Sequence, residues 1–133
     1  MTNKPNSTIN MDKKYNTATL FNGLRIIHRP SSSPVVYCGY QINAGTRNET
    51  PEEMGMAHFC EHASFKGTSK RTPFNILNCL ESVGGDLNAF TNKEDTVYYA
   101  ALPKEHAFRA VKLLTDMVFD SQYPDNELKK EIE

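Results

Sequence analysis

Residues 58–62 read His-Phe-Cys-Glu-His. On an α-helix each residue advances by about 100°, so His62 lies about 40° from His58, and Glu61 lies about 60° from it on the other side. These three side chains therefore share one face of the predicted helix, with the two imidazoles one turn apart. Cys60 lies about 200° from His58, so we expect it to point toward whatever the helix packs against.

This arrangement is suited to a catalytic zinc ion. The order H-x-x-E-H is the inverse of the H-E-x-x-H zinc-protease signature. Two imidazoles one turn apart can bind a single Zn²⁺, and a carboxylate beside them can take a proton from a metal-bound water. We therefore predict His58 and His62 as zinc ligands and Glu61 as the general base. The alternative is a surface helix with two solvent-exposed histidines and a charged neighbour.

Blocks of sequence around the motif narrow the choice between these interpretations. In the order of the chain they are NAGTR (43–47), MGMA (54–57), FKGT (65–68), GGDLNAFT (84–91) and TVYYA (96–100). Together with the motif they resemble the N-terminal domain of the pitrilysin family of zinc peptidases, the inverzincins. That family includes insulin-degrading enzyme and the catalytic subunit of mitochondrial processing peptidase. The resemblance extends from about Tyr15 to the last residue.

The resemblance implies further site residues. It places the third zinc ligand, a glutamate, on a later helix just beyond Glu133, so we expect the chain to be a fragment that is inactive by itself. Glu131 matches a second family glutamate that supports the metal site, although it is also compatible with a solvated carboxylate or a substitute ligand. Asn88, Ala89 and Phe90 match the strand that receives peptide substrate, and an exposed strand edge can pair with an extended peptide. A second homologous domain or subunit is expected to complete the enzyme.

Two other functions remain open. S-ribosylhomocysteine lyase also carries H-x-x-E-H but needs a cysteine ligand far downstream, and Cys79 is the last cysteine of this chain. Some family members are non-catalytic structural or substrate-recognition subunits that have lost the motif, whereas His58, Glu61 and His62 are intact here. We therefore predict a zinc metalloendopeptidase.

The composition of the chain limits the number of domains, the kinds of partner and the cellular location that we expect. With 133 residues, 38% of them apolar, the chain is long enough for one domain with a core. A net charge of −1 and the absence of a basic block give no reason to expect nucleic acid as a partner. No apolar run approaches the roughly 18 residues of a membrane span, so no membrane is expected. Three cysteines without a CxxC pair indicate a reducing, cytoplasmic location.

The order of the predicted elements indicates an α+β fold. Residues 1–14 are predicted to be a disordered leader, and residues 15–133 the first part of a catalytic domain. Asn22-Gly23 predicts a type I′ hairpin, 35–42 a buried strand, and 87–91 with 96–102 a second hairpin. Helices are predicted over about 54–65, from Thr72-Pro73, over 104–120 and from about Asp125. The second and third helices are expected to bury Phe74, Leu77, Leu80 and Val83, and Ala107, Val111, Leu114 and Val118.

We therefore expect an antiparallel-rich sheet with helices packed on one face, a processing-peptidase-like metallohydrolase half-domain.

Overall fold

The computed structural model describes residues 10–11 and 14–132. Two compact units divide the chain, residues 1–33 and residues 34–133. Most of the predicted disordered leader lies outside the described residues. Its described part includes a short strand, Asn10–Met11, which is named β1.

The N-terminal unit is a three-stranded antiparallel sheet. Its order is β1, β2 (Asn16–Thr19) and β3 (Arg25–His28). The predicted hairpin is confirmed, but the predicted turn type is wrong. A type I′ turn needs two residues with positive φ, whereas only Gly23 has one here, at +88°. The Leu20 amide donates to the Leu24 carbonyl at 2.8 Å, so the loop contains one more residue than a type I′ hairpin allows.

The second unit contains a three-stranded antiparallel sheet and four helices. The strands are β4 (Val35–Ile42), β5 (Asp86–Thr91) and β6 (Thr96–Pro103), in the order β4-β6-β5. The helices are α1 (Met56–Ala63), α2 (Pro73–Glu81), α3 (Ala107–Phe119) and α4 (Asp125–Ile132). None of the helices among the described residues is long and apolar enough to cross a membrane.

Helices α1, α2 and α3 pack on one face of this sheet, as predicted, and α4 packs on α1. Burial alternates along each strand, so β4 is half-buried and not the fully buried strand expected from its sequence. The core combines side chains of α2, β6 and α3, namely Ile76, Leu80, Tyr98, Ala100, Leu102, Ala110, Leu113, Leu114 and Met117. The predicted α+β class is therefore confirmed.

The faces that α2 and α3 bury match the prediction only in part, since Leu80 and Leu114 are buried as expected but the rest of each stripe is shifted. Phe74 and Leu77 are 72% and 52% exposed, while Ile76 and Leu80 are completely buried. In α3 the buried stripe is Ala110, Leu113, Leu114 and Met117. Both helices carry apolar residues on adjacent stripes, and helical spacing alone does not say which stripe faces the sheet.

The start of α2 is as predicted. Thr72 is the N-cap residue, its hydroxyl accepts from the Asn75 amide at 3.2 Å, and Pro73 occupies the first helical position. Thr is favoured at this position because its oxygen satisfies an amide that has no partner within the helix. Helix α2 ends at Glu81.

Candidate metal centre and catalytic site

Helix α1 presents the two motif histidines to solvent. The ring centroids of His58 and His62 are 4.4 Å apart, and their side chains are 63% and 44% exposed. Two accessible imidazoles this close suit a shared metal ion, since each can turn one nitrogen toward it. The predicted common face of these residues is therefore present.

Glu131 of α4 lies directly beside His62. Its Oε1 is 2.6 Å from Nδ1 of His62. When Nδ1 carries the proton and donates it to this carboxylate, Nε2 is left with its lone pair available for a metal. A carboxylate that orients a metal-binding histidine in this way also makes the imidazole a better donor.

Lys66 holds the other side of the Glu131 carboxylate. Its Nζ lies 2.8 Å from Oε2. The hydrogen bond from Lys66, followed by the one from His62, lowers the pKa of Glu131 below its usual range. Glu131 is therefore an ionised carboxylate at neutral pH, bound between a cation and a candidate ligand.

Glu61 projects from the same helix but is nearly buried. Its side chain is 9% exposed, and its Oε2 accepts a hydrogen bond from the Thr91 hydroxyl at 2.6 Å. The same oxygen lies 3.9 Å from Nδ1 of His58. Thr91 belongs to β5, so this bond ties the predicted general base to the predicted substrate strand.

The sequence by itself does not predict a role for Thr91. It ends the GGDLNAFT block, and that membership is the only signal that points to it. Nothing in the spacing of residues 61 and 91 predicts that the two side chains meet.

The expectation for Cys60 is wrong. Its side chain is exposed and does not point into the packing interface of α1. The helix instead buries Glu61 and Ala63. Since Glu61 is buried and accepts a hydrogen bond from Thr91 of β5, a glutamate, and not the cysteine, faces the sheet.

Ser64 joins the end of α1 to the sheet. It is buried, its hydroxyl donates to the Cys60 carbonyl at 2.8 Å, and its oxygen is 3.0 Å from the Tyr98 hydroxyl. Tyr98 is buried at the centre of the sheet, and this burial raises the pKa of its phenol. The pair anchors helix α1 on β6 through neutral hydrogen-bonding groups.

Strand β5 forms one edge of the three-stranded sheet, and α1 packs on it. The Asn92 amide donates to the Asp95 carbonyl at 2.7 Å. Because paired positions alternate along an antiparallel ladder, Asn88 and Phe90 bond to β6, while the N–H and C=O of Ala89 point outward. The predicted substrate segment thus has backbone groups directed to an edge beside helix α1.

The residues predicted for the site come together only in part. His58, Glu61, His62 and Glu131 cluster around α1, and residues 88–90 lie on the adjoining strand. Within residues 10–11 and 14–132, however, no group of three His, Cys, Asp or Glu side chains is arranged to hold a metal ion.

This helix and sheet edge are those of a peptidase fold, as comparison with known proteins shows. The chain belongs to the insulinase family, peptidase family M16, because the sequence profile described as Insulinase (Peptidase family M16) matches residues 25–133.

Individual relatives agree with this assignment. A protein named Uncharacterized zinc protease YmxG, from Bacillus subtilis strain 168, is 46% identical over 123 residues, which are 91% of this chain and 29% of that protein. The mitochondrial-processing peptidase subunit beta of Bos taurus is 39% identical over 112 residues, 84% of this chain and 23% of that subunit.

A solved structure has the same fold. The crystal structure of a protease from Helicobacter pylori superimposes with a TM-score of 0.85 and 25% identity, over 89% of this chain and 29% of that one. The chain spans less than a third of the length of these three relatives.

Proposed function

We propose that this chain is part of a zinc metalloendopeptidase that hydrolyses peptides or small proteins. The observation that carries the proposal is the cluster on α1, where two exposed histidines flank a nearly buried glutamate. Membership of a peptidase family supports it and argues against the lyase alternative. His58 and His62 would hold the zinc, together with a third ligand from outside the described residues, since a catalytic zinc usually has about three protein ligands.

The residues of the chain divide the chemistry between them. Bound zinc would polarise the scissile carbonyl and acidify the attacking water. Glu61 would accept the proton of that water and later deliver it to the leaving amine. Thr91 holds the Glu61 carboxylate through its hydroxyl, so that one oxygen is fixed and the other remains for the proton. Glu131 fixes the ring orientation of His62.

The edge of β5 would hold the substrate. An extended peptide would add to this edge through main-chain hydrogen bonds to Ala89, which would bind substrates of varied sequence. Asn88 and Phe90 are exposed on the sheet face that the helices leave open, where they can contact substrate side chains. We further propose that a second domain or subunit of the same fold encloses the peptide, in line with the name of one relative as a subunit beta.

Replacing Glu131 with glutamine tests the support of His62. We expect the zinc affinity of the full-length protein, measured by competition with a chelator, to fall about 10- to 100-fold. Loss of a residue that hydrogen-bonds to a metal ligand typically lowers metal affinity on this scale. Glu127→Gln is the matched control, since Glu127 lies one turn earlier on α4 and pairs with Lys130. An unchanged affinity in Glu131→Gln would exclude a role for the carboxylate charge, and an unchanged affinity in Glu131→Ala, which has no acceptor for Nδ1 of His62, would exclude the orienting role.

Proline at position 89 tests the substrate edge. Because the Ala89 amide points out of the sheet, Ala89→Pro should leave the β5–β6 ladder intact while removing one donor to the peptide. We expect KM for a peptide to rise while zinc content is unchanged. Asn88→Pro is the control for damage to the sheet, since the Asn88 amide bonds to β6 and its loss should unfold the edge. If Ala89→Pro lost zinc and peptide cleavage to the same extent, the proposal that the edge of β5 binds substrate would have no support.

A further inference from the structure

Helix α1 starts without a capping side chain of its own. Its N-cap residue is Gly55, which has a φ of +89° and no side-chain cap hydrogen bond. The first amides of a helix have no partner within it, and Ser, Thr, Asp or Asn at the N-cap usually satisfies them. A residue with a side chain would be strained at this positive φ, so the acceptor has to come from elsewhere.

The Glu49 carboxylate supplies that acceptor. Its Oε2 accepts from the Gly55 amide at 3.0 Å, and its Oε1 accepts from the Ala57 amide at 2.8 Å. Both oxygens are therefore used at the start of α1. A negative charge here also interacts favourably with the positive end of the helix dipole.

The segment that carries Glu49 is itself fastened to the β5–β6 turn. The Thr46 amide donates to the Asn92 carbonyl at 3.0 Å, and the Arg47 amide donates to the Lys93 carbonyl at 2.9 Å. A Cβ atom at Gly45 would lie 2.3 Å from the Asn92 carbonyl oxygen, so the two backbones approach too closely for any other residue.

We infer that Glu49 is a positioning residue for the catalytic helix, a role that rests on the proposed function. The segment from Gly45 to Glu49 spans from the β5–β6 turn to the start of α1. It thereby sets where α1 begins relative to the strand that holds Thr91. Glu61 is fixed to that strand near the other end of the helix, so Glu49 and Thr91 together hold the two histidines beside the substrate edge.

Two substitutions at Glu49 test this role in the full-length protein. Glu49→Ala removes both acceptors, and we expect zinc affinity and kcat each to fall about 5- to 10-fold with KM little changed. Glu49→Gln keeps one acceptor oxygen and should restore part of both. Glu52→Ala is the matched control, because the Glu52 side chain has no hydrogen bond or ion pair among the described residues. A merely structural role would lower thermal stability without this separation of kcat from KM.

Hydrogen exchange of the zinc-free protein tests the cap independently of catalysis. In Glu49→Ala the amides of Gly55 and Ala57 should exchange faster than in the wild type, and in Glu52→Ala they should not. Unchanged exchange in Glu49→Ala would overturn the cap. Faster exchange with wild-type zinc affinity and kcat would overturn the positioning role. A wild-type protein without zinc-dependent cleavage would instead overturn the proposed function, and exchange would still decide whether Glu49 holds α1.

Discussion

Glu61→Gln should abolish peptide turnover while zinc remains bound. Glutamine keeps the size of the side chain, and its amide oxygen can still accept from Thr91, but it cannot take a proton from water. General-base catalysis typically contributes about 10²- to 10⁴-fold, so we expect kcat of the full-length protein to fall within or beyond that range. Zinc content, measured by elemental analysis, should equal that of the wild type because the role proposed for Glu61 is that of general base and not of zinc ligand.

A neighbouring substitution controls for damage to the helix. Cys60 is exposed on α1 next to Glu61, so Cys60→Ser should leave turnover unchanged. If Glu61→Gln cleaved peptides at a near-normal rate with zinc bound, another group would be the base. If it lost zinc as well, Glu61 would have to be assigned to the metal.

His58→Ala should lose both metal and activity. Removing one of two adjacent imidazoles leaves the ion with too few protein ligands, so zinc affinity should fall by more than the roughly 100-fold that loss of an outer partner costs. Cleavage should disappear with the metal and should not return at moderate zinc concentrations. The measurements are zinc affinity by chelator competition and cleavage of a peptide in the full-length protein.

A second histidine serves as the control for His58→Ala, because its replacement also removes an imidazole but lies outside the proposed metal centre. His28 ends β3 in the N-terminal unit and contacts Asn16 at 3.3 Å. His28→Ala should therefore leave zinc binding as it is. Tight zinc binding by His58→Ala would show that the ion is held elsewhere, and the proposed metal centre would then be incorrect.

Helix starts and hairpins were predicted well from the sequence where they depend on residues close together in the chain. Thr72 and Pro73 started α2 as expected, because capping depends on atoms within three residues. The hairpin around Gly23 also formed, although its turn type was wrong. Asn-Gly favours more than one hairpin loop, and the strand register that selects between them depends on the whole sheet.

The spacing of apolar residues along a helix did not determine which face of the helix is buried. Leu77 and Ile76 are adjacent apolar residues on α2, and only Ile76 is buried. The same ambiguity displaced the predicted stripe of α3 by about one residue. The difference in free energy between burying one apolar stripe and burying the other depends on the sheet against which the helix packs. The helix sequence alone therefore does not determine which stripe is buried.

In the candidate site the sequence by itself determined that His58, Glu61 and His62 share a side of one helix, because helical periodicity fixes that relation. Family resemblance alone marked Glu131 and residues 88–90. Tertiary structure decided which partners these side chains have. Thr91 reaches Glu61 across 30 residues, and Glu49 reaches the start of α1 from 8 residues before Ala57. Such contacts depend on how the helix lies on the strand, and that arrangement is set by packing of the whole core.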